Sequence, residues 1–282
     1  MRVELAESAG FCFGVKRAVE SVYRLAGETE GRVCTLGPII HNEQVVKDLE
    51  DRGVFVAETA EQLEDPARTT LVIRSHGVSP DVIRDLEEKG ISYEDATCPF
   101  VKKIHDTVSL YSGRGYQIIL IGSPSHPEVQ GILGWTGGSG IVIETPEQAE
   151  QFILEKKGQK ICIVAQTTFN YKKFKDLVEI IEKKGYDIYV VNTICNATST
   201  RQKEAEDLAA RSEAMIVIGG KNSSNTRKLY EICKNQCANT FFIQTVDDLG
   251  SISLSSFTSL GITAGASTPK NIIQEVLRAC QI

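Results

Sequence analysis

The chain has 282 residues, 41% of them hydrophobic and 24% charged, which is the composition of a soluble, core-forming protein. Its 31 basic and 37 acidic side chains leave a net charge of −6, which argues against nucleic acid or an anionic membrane as the main partner. No apolar run approaches the roughly 18 residues of a membrane helix, and no apolar leader opens the chain, so no membrane role and a cytoplasmic location are expected. In chain order, a strand over Arg2 to Leu5 leads to Cys12. A helix follows, with Val15, Ala18, Val19, Val22 and Leu25 on the 3.6-residue period. A second strand ends in the turn Gly37-Pro38-Ile39-Ile40-His41-Asn42. A third leads to Thr59, whose acid two residues on reads as a helix start. A fourth ends at Arg74-Ser75-His76-Gly77, ahead of a helix opened by Ser79-Pro80.

The same landmarks then recur twice. Strand-like segments at Ile91 to Tyr93 and Tyr186 to Val191 lead to Cys98 and Cys195, each followed by a helical stretch. The second-strand turns become Gly122-Ser123-Pro124-Ser125-His126-Pro127 and Gly219-Gly220-Lys221-Asn222-Ser223-Ser224-Asn225, and each lies 28 or 29 residues past its cysteine. Thr145 and Thr245 repeat the helix start of Thr59. Gln166-Thr167-Thr168 and Gly265-Ala266-Ser267-Thr268-Pro269 repeat the fourth-strand turn. Three αβ units of 1–89, 90–184 and 185–282 are therefore expected. Alternating strands and helices imply an α/β fold of small, mainly parallel sheets. Ligands of such sheets bind beyond the strand C-termini, where every landmark falls. Pseudo-threefold packing of the units as a trefoil would bring the landmarks to one central cavity.

Of eight cysteines, only Cys12, Cys98 and Cys195 are equivalent in the repeat. No CxxC pair occurs, and Cys34, Cys162, Cys233, Cys237 and Cys280 read as structural. Three thiols at helix starts suit a soft metal, and spacing leaves iron and zinc both open. His41, His76 and His126, three of the four histidines, stand at strand ends, as do Ser223, Ser224, Asn225 and Ser267. Such donors beside helix N-termini suit a phosphate or diphosphate. Taken singly, Ser267-Thr268-Pro269 and Ser79-Pro80 also read as ordinary helix caps. Glu128 reads as a first-turn carboxylate or as a proton donor oriented by Thr167. Neither GxGxxG nor a P-loop signature is present.

Nine segments in chain order make the resemblance specific. They include Gly10-Phe11-Cys12-Phe13-Gly14-Val15, Asp95-Ala96-Thr97-Cys98-Pro99, His126-Pro127-Glu128-Val129, Thr193-Ile194-Cys195-Asn196-Ala197-Thr198 and Asn222-Ser223-Ser224-Asn225-Thr226. From residue 10 to about 270 the chain resembles the 4-hydroxy-3-methylbut-2-enyl diphosphate reductases. The resemblance implies the last step of the non-mevalonate isoprenoid pathway, in which an allylic hydroxyl is removed reductively to give isopentenyl and dimethylallyl diphosphate. It implies a 4Fe–4S cluster on Cys12, Cys98 and Cys195 with one iron open. Substrate would be bound by His41, His76, His126, Thr167, Ser223, Ser224, Asn225 and Ser267, with Glu128 as proton donor. A ferredoxin- or flavodoxin-type protein would supply electrons, and a monomer is expected. Two other readings are a non-redox hydro-lyase using the same cluster on a phosphorylated substrate, and a zinc- or thiol-bearing binding module.

Overall fold

Runs such as Ile118-Ile119-Leu120-Ile121 and Ile161-Cys162-Ile163-Val164-Ala165 have no polar face, so each strand must be covered on both sides. The structure, a computed structural model, describes residues 1–281 and covers them in that way. Its strands are β1 (Arg2–Leu5), β2 (Arg32–Leu36), β3 (Val54–Ala57), β4 (Thr69–Ile73), β5 (Tyr93–Asp95) and β6 (Gln117–Ile121). They continue with β7 (Gly140–Ile143), β8 (Ile161–Ala165), β9 (Ile188–Val190), β10 (Ala214–Ile218), β11 (Thr240–Ile243) and β12 (Ser259–Ala264). The helices are α1 (Phe13–Glu28), α2 (Glu43–Glu50), α3 (Pro80–Glu88), α4 (Pro99–Gly113) and α5 (Pro127–Gly134). After them come α6 (Pro146–Gln151), α7 (Tyr171–Glu182), α8 (Asn196–Ala210), α9 (Ser224–Gln236) and α10 (Lys270–Cys280).

The chain divides into two compact units. One comprises Arg17–Ile39 and Leu49–Cys195 and holds two four-stranded sheets, ordered β3-β2-β4-β5 and β7-β6-β8-β9. The other comprises Met1–Lys16, Ile40–Asp48 and the chain from Asn196 onward, and holds one sheet ordered β1-β12-β10-β11. Every strand pairing is parallel. Alternation decides which helix covers which face. Ile119, Ile121 and Ile163 pack with Phe174, Leu177 and Ile181 of α7. Ile118, Leu120 and Val164 face Ile104 and Val108 of α4 and Val129 and Ile132 of α5. In the other unit Ile216 and Ile262 meet Ile273 and Val276 of α10, while Met215 and Val217 meet Leu208 of α8 and Leu229 of α9.

The sheets are offset from the sequence repeat by one strand. The strand that opens each repeat pairs at the edge of the sheet of the repeat before it: β5 on β4, β9 on β8, and β1 on β12 near the C-terminus. A parallel strand reached through a helix docks beside the strand it has just left, and α3 and α7 make that short crossover. Helix starts differ in strength. Thr145 forms a full capping box on α6, whereas Thr59 and Thr245 open only 3-10 turns, Ala60–Gln62 and Val246–Ser251. Ser79 caps α3, but α10 begins after Pro269, so Ser267 is not the cap it resembles in sequence.

Candidate active site

Setting aside the edge strands β1, β5 and β9, the first strand of each sheet (β10, β2 or β6) lies between the second on one side and the third on the other. Crossovers therefore diverge between the first and third strands, and the gap left there is where α/β sheets hold ligands. The turns after β4, β6, β8, β10 and β12 all open into such gaps, and they carry His76, His126, Thr167, Ser223 and Ser267.

The three repeat-related cysteines share one backbone setting. Cys12 N–H donates to the Ala266 carbonyl at 3.2 Å, Cys98 N–H to Ser75 at 3.0 Å, and Cys195 N–H to Thr167 at 3.0 Å. Each acceptor lies in the turn after its sheet's third strand, and each cysteine directly precedes a helix. No disulfide joins any of the eight cysteines, and only these three are partly exposed, the other five being buried. Burial pushes the Cys34 and Cys162 thiols up to about 11 and Cys233 up to about 12. Those thiols stay protonated and inert. Cys233 and Cys237, four apart at the end of α9, form part of a buried face. Three partly exposed thiols at helix starts are a donor set fit for an iron–sulfur cluster.

In the larger unit, Glu128 at the start of α5 is only 2% exposed. Its two carboxylate oxygens accept from Thr167, one from the backbone N–H at 2.6 Å and one from the hydroxyl at 2.7 Å. The Glu128 N–H donates to His126 Nδ1 at 3.1 Å, so a neutral His126 carries its proton on Nε2 and presents a donor there. His76 meets His126 edge-on, with ring centroids 5.3 Å apart. The arrangement can hold an anion between imidazoles and deliver a proton from a carboxyl group whose direction is set by Thr167.

In the other unit, the Ser267 hydroxyl donates to the His41 carbonyl at 3.2 Å and lies 3.4 Å from the Ser223 hydroxyl. Ser223 caps α9, accepting from the Thr226 N–H at 3.2 Å, with Ser224 next in the first turn. Asn225 is 4% exposed, and neither its amide nitrogen nor its amide oxygen has a partner among the described residues. Burying an unsatisfied amide costs about 1–3 kcal/mol, and a bound anion at the helix N-terminus, accepting from the Asn225 Nδ2 group, would recover the part owed to the nitrogen.

Sequence reasoning passed over two supports. Gln166 is fully buried and accepts from the Ser123 N–H at 3.1 Å, tying the His126 turn to the Thr167 turn. His105, the fourth histidine, stacks on Trp135 at 5.1 Å, and the Trp135 indole donates to the Val78 carbonyl at 2.9 Å. The only tryptophan in the chain, placed shortly beyond the His126 motif, was the available signal.

Parallel four-stranded sheets whose switch-point turns carry imidazoles and hydroxyls, with thiols and a buried carboxyl group at helix starts, define an α/β protein with the side chains of a ligand-binding site. The chain belongs to the LytB protein family, which it matches over residues 3–281. A 4-hydroxy-3-methylbut-2-enyl diphosphate reductase of Caldanaerobacter subterraneus subsp. tengcongensis is 45% identical over 98% of this chain and 96% of its own length. One from Aquifex aeolicus is 46% identical over 96% of this chain and 93% of its own length. The solved structure of the Plasmodium falciparum E-1-hydroxy-2-methyl-but-2-enyl-4-diphosphate reductase superposes with a TM-score of 0.93 at 28% identity, covering 99% of this chain and 87% of that one. Iron–sulfur binding belongs to the family. No helix among the described residues is long and apolar enough to cross a membrane.

Proposed function

We propose that the protein reduces (E)-4-hydroxy-3-methylbut-2-enyl diphosphate to isopentenyl and dimethylallyl diphosphate, the closing step of the non-mevalonate pathway. Relatives bearing the reductase name across nearly the whole chain support this over a hydro-lyase. The carrying observation is the set of Cys12, Cys98 and Cys195, alike in exposure, in helix position and in backbone hydrogen bond. We assign them as ligands of a 4Fe–4S cluster with one iron left open. Such a cluster, when bound, supplies electrons and a Lewis-acid iron for the allylic hydroxyl. In the net reaction the substrate gains two electrons and two protons, its C–O bond breaks, and the hydroxyl leaves as water.

The chain's own groups do the rest. His41, Ser223, Ser224, Asn225 and Ser267 bind the diphosphate, with His76 and His126 adding imidazole donors. Glu128 gives a proton to the departing hydroxyl. The two Thr167 hydrogen bonds fix the carboxyl group's direction, which removes orientational freedom before the reaction. A ferredoxin- or flavodoxin-type protein is the proposed electron source, and the protein is read as a cytoplasmic monomer. Eight cysteines with no disulfide among them support a reducing compartment.

Protein purified or reconstituted without oxygen tests the reading through metal content and turnover. About four iron and four sulfide per chain, with products formed only under a strong reductant, is the expected result. Stoichiometric zinc, or turnover without reductant, would overturn it.

A further inference from the structure

The residues flanking Cys12 carry an anchorage that no part of the proposed reaction uses. Residues 7–10 form a short loop between β1 and α1, and α8 reaches it with two charged side chains about one turn apart. Arg201 donates twice to the Ser8 carbonyl, from Nε at 2.9 Å and Nη2 at 2.6 Å, and once to the Gly10 carbonyl at 2.8 Å. Glu204 accepts from the Glu7 N–H at 2.5 Å, from the Ser8 N–H at 3.0 Å and from the Ser8 hydroxyl. Both faces of the loop backbone are thus held, its carbonyls by a guanidinium and its amides by a carboxylate. Arg201 is only 3% exposed, so its charge sits in a poorly solvated place against Gly10, two residues before the thiol in the chain. Gly10 completes the fit: at φ +105° it turns the chain, and a Cβ there would lie 3.0 Å from Ile273 Cδ1.

The device recurs. Arg17 of α1 donates from Nη2 to the Thr97 carbonyl at 2.5 Å, one residue ahead of Cys98. The loop before Cys195 is held differently, by the Thr193 hydroxyl bonded to the Ala165 backbone N–H and carbonyl at 2.8 and 2.5 Å.

We propose that Arg201 and Glu204 are positioning residues for Cys12, and Arg17 for Cys98, holding each ligand loop in its binding geometry before the cluster arrives and keeping a positive charge beside it afterwards. The inference rests on the assignment of these cysteines as ligands. Groups that orient metal ligands change metal affinity by about 10- to 100-fold when removed. A poorly solvated cation near a cluster favours the reduced, more negative state and so raises its potential.

The test uses full-length holoenzyme reconstituted without oxygen. Its readouts are the rate of iron loss to a chelator, the EPR spectrum and the reduction potential. R201Q is expected to lose iron about tenfold faster and to have a more negative potential. R201K, which keeps the charge but not the fork, should lose iron faster while holding its potential near wild type. R17Q is expected to behave like R201Q, and stands in for it if R201Q does not fold. Wild-type chelation rate, spectrum and potential in R201Q, or in R17Q in its place, would overturn the clamp. C12S separates the two ideas: loss of cluster in C12S beside unchanged arginine variants sinks the clamp alone, whereas wild-type iron and sulfide in C12S sinks the ligand assignment and the clamp with it.

Discussion

Glu128 is the proton donor of the proposed reaction, and a buried carboxyl group held at both oxygens has one direction in which to act. Glu128→Gln keeps the shape and loses the proton; turnover should fall by about 10²- to 10⁴-fold with iron content and substrate binding retained. Near wild-type turnover would remove Glu128 from the mechanism. Asn225 gives a prediction of opposite sign for stability and function. Its amide has no partner among the described residues, so Asn225→Leu should leave the free protein as stable or about 1 kcal/mol more stable. The same variant should raise KM for the diphosphate, and thermal unfolding beside steady-state kinetics reads both. His105 carries the pH dependence. Burial lowers it to about 4, so folding favours the neutral ring, and its contribution is complete above about pH 6.5. As pH falls from 6.5 towards 4 the unfolded chain takes the proton first, costing about 3 kcal/mol. His105→Phe keeps a ring against Trp135 and should flatten denaturant stability over that range relative to wild type. These side chains differ in legibility: three histidines stood at repeated landmarks and Glu128 two residues past one, whereas His105 had no counterpart in the repeat and Gln166, though inside a repeated turn, was overshadowed by Thr167 beside it.

At the scale of the element, the turns carry the proposed site and their backbone conformations are exacting. Gly77 follows His76 with φ +73°, and a Cβ there would lie 2.7 Å from His105 Cε1 and 3.0 Å from Thr97 Cγ2. Gly77→Ala therefore combines left-handed strain with a clash, about 2–4 kcal/mol together, and should also raise KM by displacing His76. A stable variant with unchanged KM would show that the turn has slack the geometry does not reveal. Helices were legible from period and caps, yet Thr59 and Thr245 share the Thr145 signature and produce only 3-10 turns. The Thr245 turn even has the capping box, so the difference lies downstream. α6 buries Ala149 against its unit's core, while the turns after Thr59 and Thr245 bury no side chain of their own. Ser267 shows the reverse case. It reads as a cap, but its hydroxyl is engaged by the His41 carbonyl and Ser223, partners more than 40 residues away in the chain.

For the whole molecule, each sheet has its own apolar core, and among the described residues Cys12, Cys98 and Cys195 are partly exposed and lie outside those cores. Iron removal should accordingly leave the far-UV circular dichroism unchanged while abolishing turnover; collapse of the helical signal on chelation would contradict that independence. What the sequence determined by itself was the threefold repeat, the parallel α/β class and the equivalence of three cysteines, because these rest on local period and on spacing along the chain. The edge-strand exchange was decided only by tertiary structure, since strand pairing depends on which crossover a helix can make and not on where a repeat appears to begin. So too were the shared hydrogen bond of the cysteines, the grip of Thr167 on Glu128 and the Arg201 clamp. Each joins groups tens to hundreds of residues apart, and their approach is fixed by packing that no local pattern encodes.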